Sequence, residues 1–217
     1  MAPLTLVIGN KNYSTWSLRA WLALRHMAMS FTEVVVPLDQ PDSREELEKH
    51  SPSARVPVLR QGDLVVWDSL AICEYAAEQT GRGWPQDVRA RAVARAVSAE
   101  MHSSFTHLRS LWPMNARARN RRTAMTPGLK ADIERIDEIW NDCRARFGGE
   151  RPWLFGDYSI ADAMYAPVVL RFKTYGAAAI SQAARWYMAT VLEDPLLQEW
   201  LQAAQAEPWT IASDEVG

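Results

Sequence analysis

Three short stretches of this sequence place hydroxyls, backbone amides and an acid where they can hold a small charged molecule. The first reads Asn10-Lys11-Asn12-Tyr13-Ser14-Thr15-Trp16-Ser17, between an apolar run at Leu4 to Ile8 and a helical pattern that continues through Leu24. Ser14 stands where a helix N-cap belongs, so its hydroxyl and the free amides after it face any anion in an adjoining crevice. That arrangement suits a thiolate. Lowering a thiol from about 8.5 to about 6.5 takes about 2.7 kcal/mol. A hydrogen bond to a charged acceptor contributes roughly 1.5–3 kcal/mol and a helix terminus about 0.3–1 kcal/mol, so one hydroxyl and the helix end suffice without a protein base. Taken alone, Ser14 reads first as a plain helix cap.

The second stretch is Ser51-Pro52-Ser53-Ala54-Arg55-Val56-Pro57-Val58-Leu59, with a proline at the head of a strand, where a missing amide is tolerated. A cis Val56-Pro57 bond would turn the amide and carbonyl of Val56 toward the crevice, although local sequence does not establish one. The third is Trp67-Asp68-Ser69, at a strand end and a helix start. There backbone amides and a hydroxyl can hold a carboxylate while Asp68 accepts from an ammonium. Together the three loops suit a thiol-bearing, amino-acid-like ligand.

The elements that must position these loops follow from periodicity. Residues 3–9 and Phe31 to Pro37 read as strands, with a helix from Ser14 to Met29 between them. Ser43 to His50 suggests a short surface helix. Val56 to Leu59 and Leu64 to Trp67 read as an antiparallel hairpin turning at Gln61-Gly62-Asp63. Ser69 to Gln79 is a helix stopped by Thr80-Gly81-Arg82-Gly83. An open mixed sheet of this order places ligands at the carboxyl ends of its parallel strands, where the first helix begins.

Beyond residue 87 only helical spacing survives. Val93, Val97, Met101, Phe105, Leu108 and Trp112 form the stripe of one helix ended by Pro113, and Leu129 to Phe147 form that of the next, which includes Cys143. Ser159-Ile160-Ala161-Asp162 fits a capping box opening a helix through Phe172. Two further helices finish near Ala204. The expected division is residues 1–80, a linker at 81–87, and an all-helical part at 88–217.

Composition narrows the chemistry. The 217 residues, 48% hydrophobic and 23% charged, describe a folded globular chain. The longest apolar stretch, Ala163 to Leu170, is far shorter than the ~20 residues of a membrane span, and the N-terminus has no secretory pattern, so a cytoplasmic protein is expected. Two cysteines, Cys73 and Cys143, form no CxxC, and His26, His50, His102 and His107 form no HExxH, so no metal is expected. Gly81 and Gly83 begin a dinucleotide loop that Gln86 breaks, and no phosphate-binding GxxxxGK occurs, so no nucleotide is expected. Residues 84–122 carry 8 basic and 2 acidic side chains, with Arg117, Arg119, Arg121 and Arg122 crowded together. With a pI of 6.1 and no base-reading motif, this reads as a solvated connection or a field for a small anion, not as a nucleic-acid surface.

The serine turn before the first helix, the Ser-Pro-x-x-x-Val-Pro-x-Leu run, the Asp68-Ser69 pair and the Ser-Ile-Ala-Asp box occur here in one order and spacing. In these features the chain resembles the cytosolic glutathione S-transferases over nearly its whole length. The resemblance implies a thioredoxin-like N-terminal domain, an all-helical C-terminal domain and a homodimer. It also implies glutathione as co-substrate, with Ser14 on the sulfur aided by Thr15, Val56 and cis Pro57 on the cysteinyl part, and Asp68 and Ser69 on the γ-glutamyl end. Arg55 stands where family members reach a ligand carboxylate. Zeta-type members, which include maleylacetoacetate isomerases, carry Ser-Ser-Cys-Ser at this turn. Here it is Ser14-Thr15-Trp16-Ser17, and the indole narrows the site.

Tyr13 and Ser17 are rival activating hydroxyls. Cys73, one turn past Ser69, reads as a packed side chain. An electrophile is expected near Trp16, Arg109, Trp112 and Met114, of which the aromatic and Met side chains read equally as core, and Arg109 and Arg171 are candidates to meet an anionic co-substrate. The expected reaction is conjugation of glutathione thiolate to a small hydrophobic electrophile, as in detoxification. The alternatives are cis-trans isomerisation with glutathione as cofactor, glutathione-dependent peroxide reduction, and a glutathione-binding interaction module without turnover.

Overall fold

A computed structural model describes residues 2–176 and 179–217. Its N-terminal half contains β1 (Leu4–Ile8), α1 (Thr15–His26), β2 (Thr32–Val35), α2 (Ser43–Glu48), β3 (Val58–Gln61), β4 (Leu64–Trp67) and α3 (Ser69–Thr80). The sheet order is β2-β1-β3-β4, with β1 parallel to β2 and antiparallel to β3. Strand β1 is buried on both faces because its side chains alternate. Leu6 and Ile8 enter the main core, whereas Val7 joins Val36, Leu47 and Val58 beneath α2. Because Pro57 has no amide to give the ladder, β3 starts at Val58, two residues later than the sequence pattern suggests. Gly62, at φ +63°, takes the left-handed position in the hairpin turn.

The C-terminal half is built from α4 (Val88–Ser103), α5 (Thr106–Leu111), α6 (Pro127–Cys143), α7 (Ile160–Tyr175), α8 (Gln182–Glu193) and α9 (Pro195–Ala206). The chain thus has a thioredoxin-like half followed by an all-helical one. Among the described residues past 87, the only β pairing is two isolated bridges at 153–157.

Two expectations are corrected here. The stripe from Val93 to Trp112 spans two helices, because Ser104 is extended and Phe105 turns left-handed at φ +62°. Carbonyls freed at the end of α4 are taken up by Arg109, whose Nη2 donates to Met101 O and to His102 O at 3.3 Å, while its Nε donates to Ser104 O at 2.9 Å. Apolar spacing carries across the break because Phe105 and Leu108 are buried on either side of it. Similarly, Phe147 lies outside α6, in a π-helical turn at Arg144–Gly148.

Helix α7 is buried almost all round and forms the axis of the molecule. Asp162 starts it: its Oδ2 accepts from Ser159 N at 2.8 Å and Ser159 Oγ at 2.9 Å, and its Oδ1 accepts from Leu154 N at 3.1 Å. Burial nevertheless pushes the Asp162 carboxyl up to about 6 against these bonds. Helix α1 lies between the sheet and α7, with Arg19 Nε donating to Met164 O at 3.0 Å.

Candidate functional site

The turn from β1 into α1 is held from two sides. Asn10 O accepts from the Ser14 amide at 2.8 Å, and Asn10 Oδ1 accepts from Leu38 N at 2.7 Å. From the helical half, the Glu207 carboxylate receives the amides of Lys11 at 2.7 Å and Asn12 at 3.0 Å. The buried Asn12 side chain donates to Asn115 Oδ1 at 3.0 Å and accepts from Arg117 N at 2.9 Å. These ties fix where Ser14 points.

Ser14 is the N-cap of α1, with extended backbone and its Oγ accepting from Ser17 N at 3.3 Å. Its hydroxyl proton goes to Ser17 Oγ at 2.8 Å, and Ser17 Oγ also accepts from Gly9 N at 3.0 Å. Ser17 is fully buried, so it is a support for the turn and not a hydroxyl open to the crevice. Tyr13 lines the crevice, but its hydroxyl is engaged, donating to Glu215 Oε1 at 2.7 Å and accepting from Arg117 Nη2 at 3.1 Å. Of the three candidate hydroxyls, Ser14 alone combines a helix N-terminus with a place on the crevice wall.

Two cavities meet at Trp16, Arg55 and Val56. One, of about 440 Å³, is walled by Ser14, Thr15, Met114, Arg109 and Arg171, with Leu38 and Ile211 adding apolar surface. The other, of about 560 Å³, is walled by Pro57, Asp68, Ser69, Trp67 and His102. The Val56-Pro57 peptide is cis. Arg55 is exposed at the rim of both. Asp68, at φ +77°, caps α3 through Oδ1, which accepts from Leu70 N at 2.9 Å and Ala71 N at 3.2 Å. Its Oδ2 lies 3.0 Å from His102 Nε2. Ser69 Oγ is buried and has no hydrogen-bond partner among the described residues. A third cavity, of about 860 Å³ over residues 81–87, contains none of the expected site residues.

Trp112 takes the second of its two expected roles, core packing. It is buried in the interhelical core, stacked on Tyr175 with ring centroids 5.2 Å apart, its Nε1 donating to Thr123 Oγ1 at 2.6 Å. The short helix α5 turns it inward while carrying Arg109 to the crevice. Met114, two residues on, does reach the crevice wall. Cys73 and Cys143 are both buried free thiols, and burial raises the pKa of each.

Sequence reasoning missed His102, Asp214, Asn115 and Glu207. His102 was weighed only as a metal ligand. Asp214 and Glu207 sit in a tail without periodicity, and the amides that Glu207 receives lie 196 and 195 positions earlier in the chain. A signal existed in the charge pattern: the basic connection after α5 clamps the tail, Arg117 donating to Glu207 O at 2.7 Å and Trp209 O at 2.9 Å, and Arg121 pairing with Glu215. Among the described residues no cluster of three or more His, Cys, Asp or Glu side chains is arranged to hold a metal ion, and no helix is long and apolar enough to cross a membrane.

The geometry of this crevice, a serine-capped first helix facing a proline-headed strand below an all-helical half, agrees with family comparison. The model of the glutathione S-transferase N-terminal domain matches residues 13–79, and that of the glutathione S-transferase C-terminal domain matches residues 86–203. The chain belongs to the glutathione S-transferase family. A search of curated proteins found no match. Among solved structures, a glutathione transferase homologue from Burkholderia GL BGR1 with bound glutathione is 22% identical, with 94% of this chain and all of that one covered at a TM-score of 0.73. The Tau class enzyme of mango is 18% identical over 94% of this chain and 96% of that one, with a TM-score of 0.70. The theta class enzyme of Xanthomonas axonopodis pv. citri, with glutathione bound, is 20% identical over 93% and 98%, at a TM-score of 0.65. At these identities the likeness is one of fold.

Proposed function

We propose that this chain is a glutathione transferase that binds glutathione as its thiolate against Ser14 and conjugates it to a small electrophile. The observation that carries this reading is the position of Ser14 Oγ, at the N-terminus of α1 and on the wall of the 440 Å³ cavity, two residues from Trp16, where the second cavity adjoins it. In the 560 Å³ cavity the γ-glutamyl carboxylate would take the unpartnered Ser69 hydroxyl and the α3 N-terminus, and its ammonium would sit beside Asp68. The backbone of Val56 would pair with the cysteinyl unit, with Arg55 reaching a terminal carboxylate. That placement leaves the sulfur at Ser14, whose hydroxyl rotates from Ser17 Oγ to donate to it. The first amides of α1 have no intrahelical partner and add their field. Trp16 and Met114 would flank the electrophile in the 440 Å³ cavity. Holding sulfur and acceptor at contact distance supplies the remaining rate.

Titrating the bound thiol by thiolate absorbance tests the assignment. Ser14→Ala should raise its pKa by about one to two units, the worth of one charge-assisted hydrogen bond. An unchanged titration in Ser14→Ala together with a shift in Tyr13→Phe would overturn it. Product analysis separates the reactions: conjugation consumes glutathione, isomerisation returns it, and peroxide reduction leaves its disulfide.

A further inference from the structure

Three arginines from three helices converge on one indole. Arg19 of α1 places its guanidinium carbon 4.6 Å from the Trp16 ring centroid and Arg109 of α5 lies at 4.7 Å, while Arg171 of α7 shares the cavity wall with both Trp16 and Arg109. None of the three has a carboxylate within 4 Å among the described residues. Among the described residues they donate to backbone carbonyls: Met164 for Arg19, Met101, His102 and Ser104 for Arg109, and Trp112 and Pro167 for Arg171. Arg19 is completely buried, and both its Nη1 and Nη2 lack a hydrogen-bond partner among the described residues. Carbonyls orient a guanidinium without neutralising it. Burial lowers the pKa of all three, that of Arg171 to about 9, and Arg109 repels both of the others.

Uncompensated buried charge is costly and is ordinarily paired. Two acidic groups act on the set from a distance: Asp132 on Arg109, from outside the cavity, and Asp214, in the tail, which lines the same cavity and interacts electrostatically with Arg171 without contacting it. Burial raises the Asp214 pKa and Arg171 opposes that rise, as expected for an acid standing partway into a cationic pocket. Pro113, Met114 and Ile211 give the wall an apolar patch beside these charges, while Ser14, Thr15 and Arg55 line the part of it toward the second cavity.

We infer that the 440 Å³ cavity selects electrophiles bearing a carboxylate, which docks on Arg109 and Arg171 with its apolar body against Met114 and Ile211, on the side of the cavity that Asp214 lines. A guanidinium fork matches a carboxylate in shape as well as charge. The inference rests on reading this cavity as the electrophile side of a transferase.

Calorimetric titration with cinnamate and its uncharged methyl ester, on protein saturated with S-methylglutathione, tests it without turnover. Cinnamate should bind at least about tenfold more tightly than the ester, as one charge-assisted hydrogen bond allows. Arg109→Met and Arg171→Met should bring the two ligands level, and Asp214→Asn should tighten cinnamate several-fold by removing the competing acid. Because Arg171 is buried in the core, Arg109→Met and Asp214→Asn carry the test by themselves. Equal affinities in the wild type, or a preference that survives Arg109→Met and does not rise in Asp214→Asn, would overturn the inference. So would variants that lose S-methylglutathione in place of cinnamate, since the arginines would then serve glutathione. If S-methylglutathione fails to bind the wild type, the transferase reading falls, and the same two titrations on the free protein still decide the carboxylate preference.

Discussion

Ser14 and Ser17 differ by three positions and by what their hydroxyls are for. Ser17 Oγ is the acceptor for the buried Gly9 amide, so Ser17→Ala should cost about 1–3 kcal/mol of stability through an orphaned donor. Ser14→Ala removes an N-cap and should cost about 1 kcal/mol while carrying the larger effect on the thiol. Denaturant midpoints of the two variants, set beside thiol titrations, check this, and a Ser17→Ala protein as stable as wild type would contradict it. The sequence made Ser14, Val56 and the Asp68-Ser69 pair legible because each sits at a junction that its neighbours mark: an apolar run before it, a turn or a helix after it. His102 carried no such mark. It reaches Asp68 only because α4 passes over the start of α3, and nothing local to residue 102 encodes that crossing.

At the scale of elements, spacing located the helices and strands well and their ends less well. A stripe at steps of four, three and four passes unchanged through Ser104 and Phe105, since a break that keeps both flanking faces buried leaves the pattern intact. What the pattern omits is the polar half of the break, where Arg109 ties three carbonyls and is thereby aimed at the crevice. The capping box of α7 was legible in full, and its buried acid makes a pH-dependent prediction. The folded carboxyl titrates at about 6 and an unfolded one at about 3.9, so the native state takes up the proton first. Asp162 therefore adds stability as pH falls from about 6 toward about 4, and that contribution is lost as pH rises through the folded value. Asp162→Ala should cost more at pH 4.5 than at pH 7.5, by about 2 kcal/mol. Urea unfolding of both proteins at the two pH values measures the difference, and a penalty that grows toward neutral pH would refute the assignment.

Across the whole molecule, a basic connection and an acidic tail close the crevice together. The excess positive charge of residues 84–122 was countable in the sequence, but its partner was not, because Arg117 and Arg121 reach residues about ninety positions away. Burial would raise the Glu215 pKa. Hydrogen bonds from Tyr13 and Asn115 and the charge of Arg121 oppose that and hold it low, so its anchoring is present above the ordinary carboxylate range and lost as pH falls through the depressed value. Glu215→Ala should free the tail from Tyr13 and Asn115. Amide hydrogen exchange should rise several-fold over residues 207–217 while the global unfolding midpoint moves by no more than about 1 kcal/mol equivalent. Unchanged exchange in the tail would show that Glu215 does not anchor it.

The Glu207 clamp on Lys11 and Asn12 also orders events during synthesis. Those amides leave the ribosome early, yet the carboxylate that fixes them is translated 195 residues after Asn12. A nascent chain can close its sheet long before then, but the turn that aims Ser14 acquires its final anchor only when α9 has been made, so ligand binding should begin late in elongation.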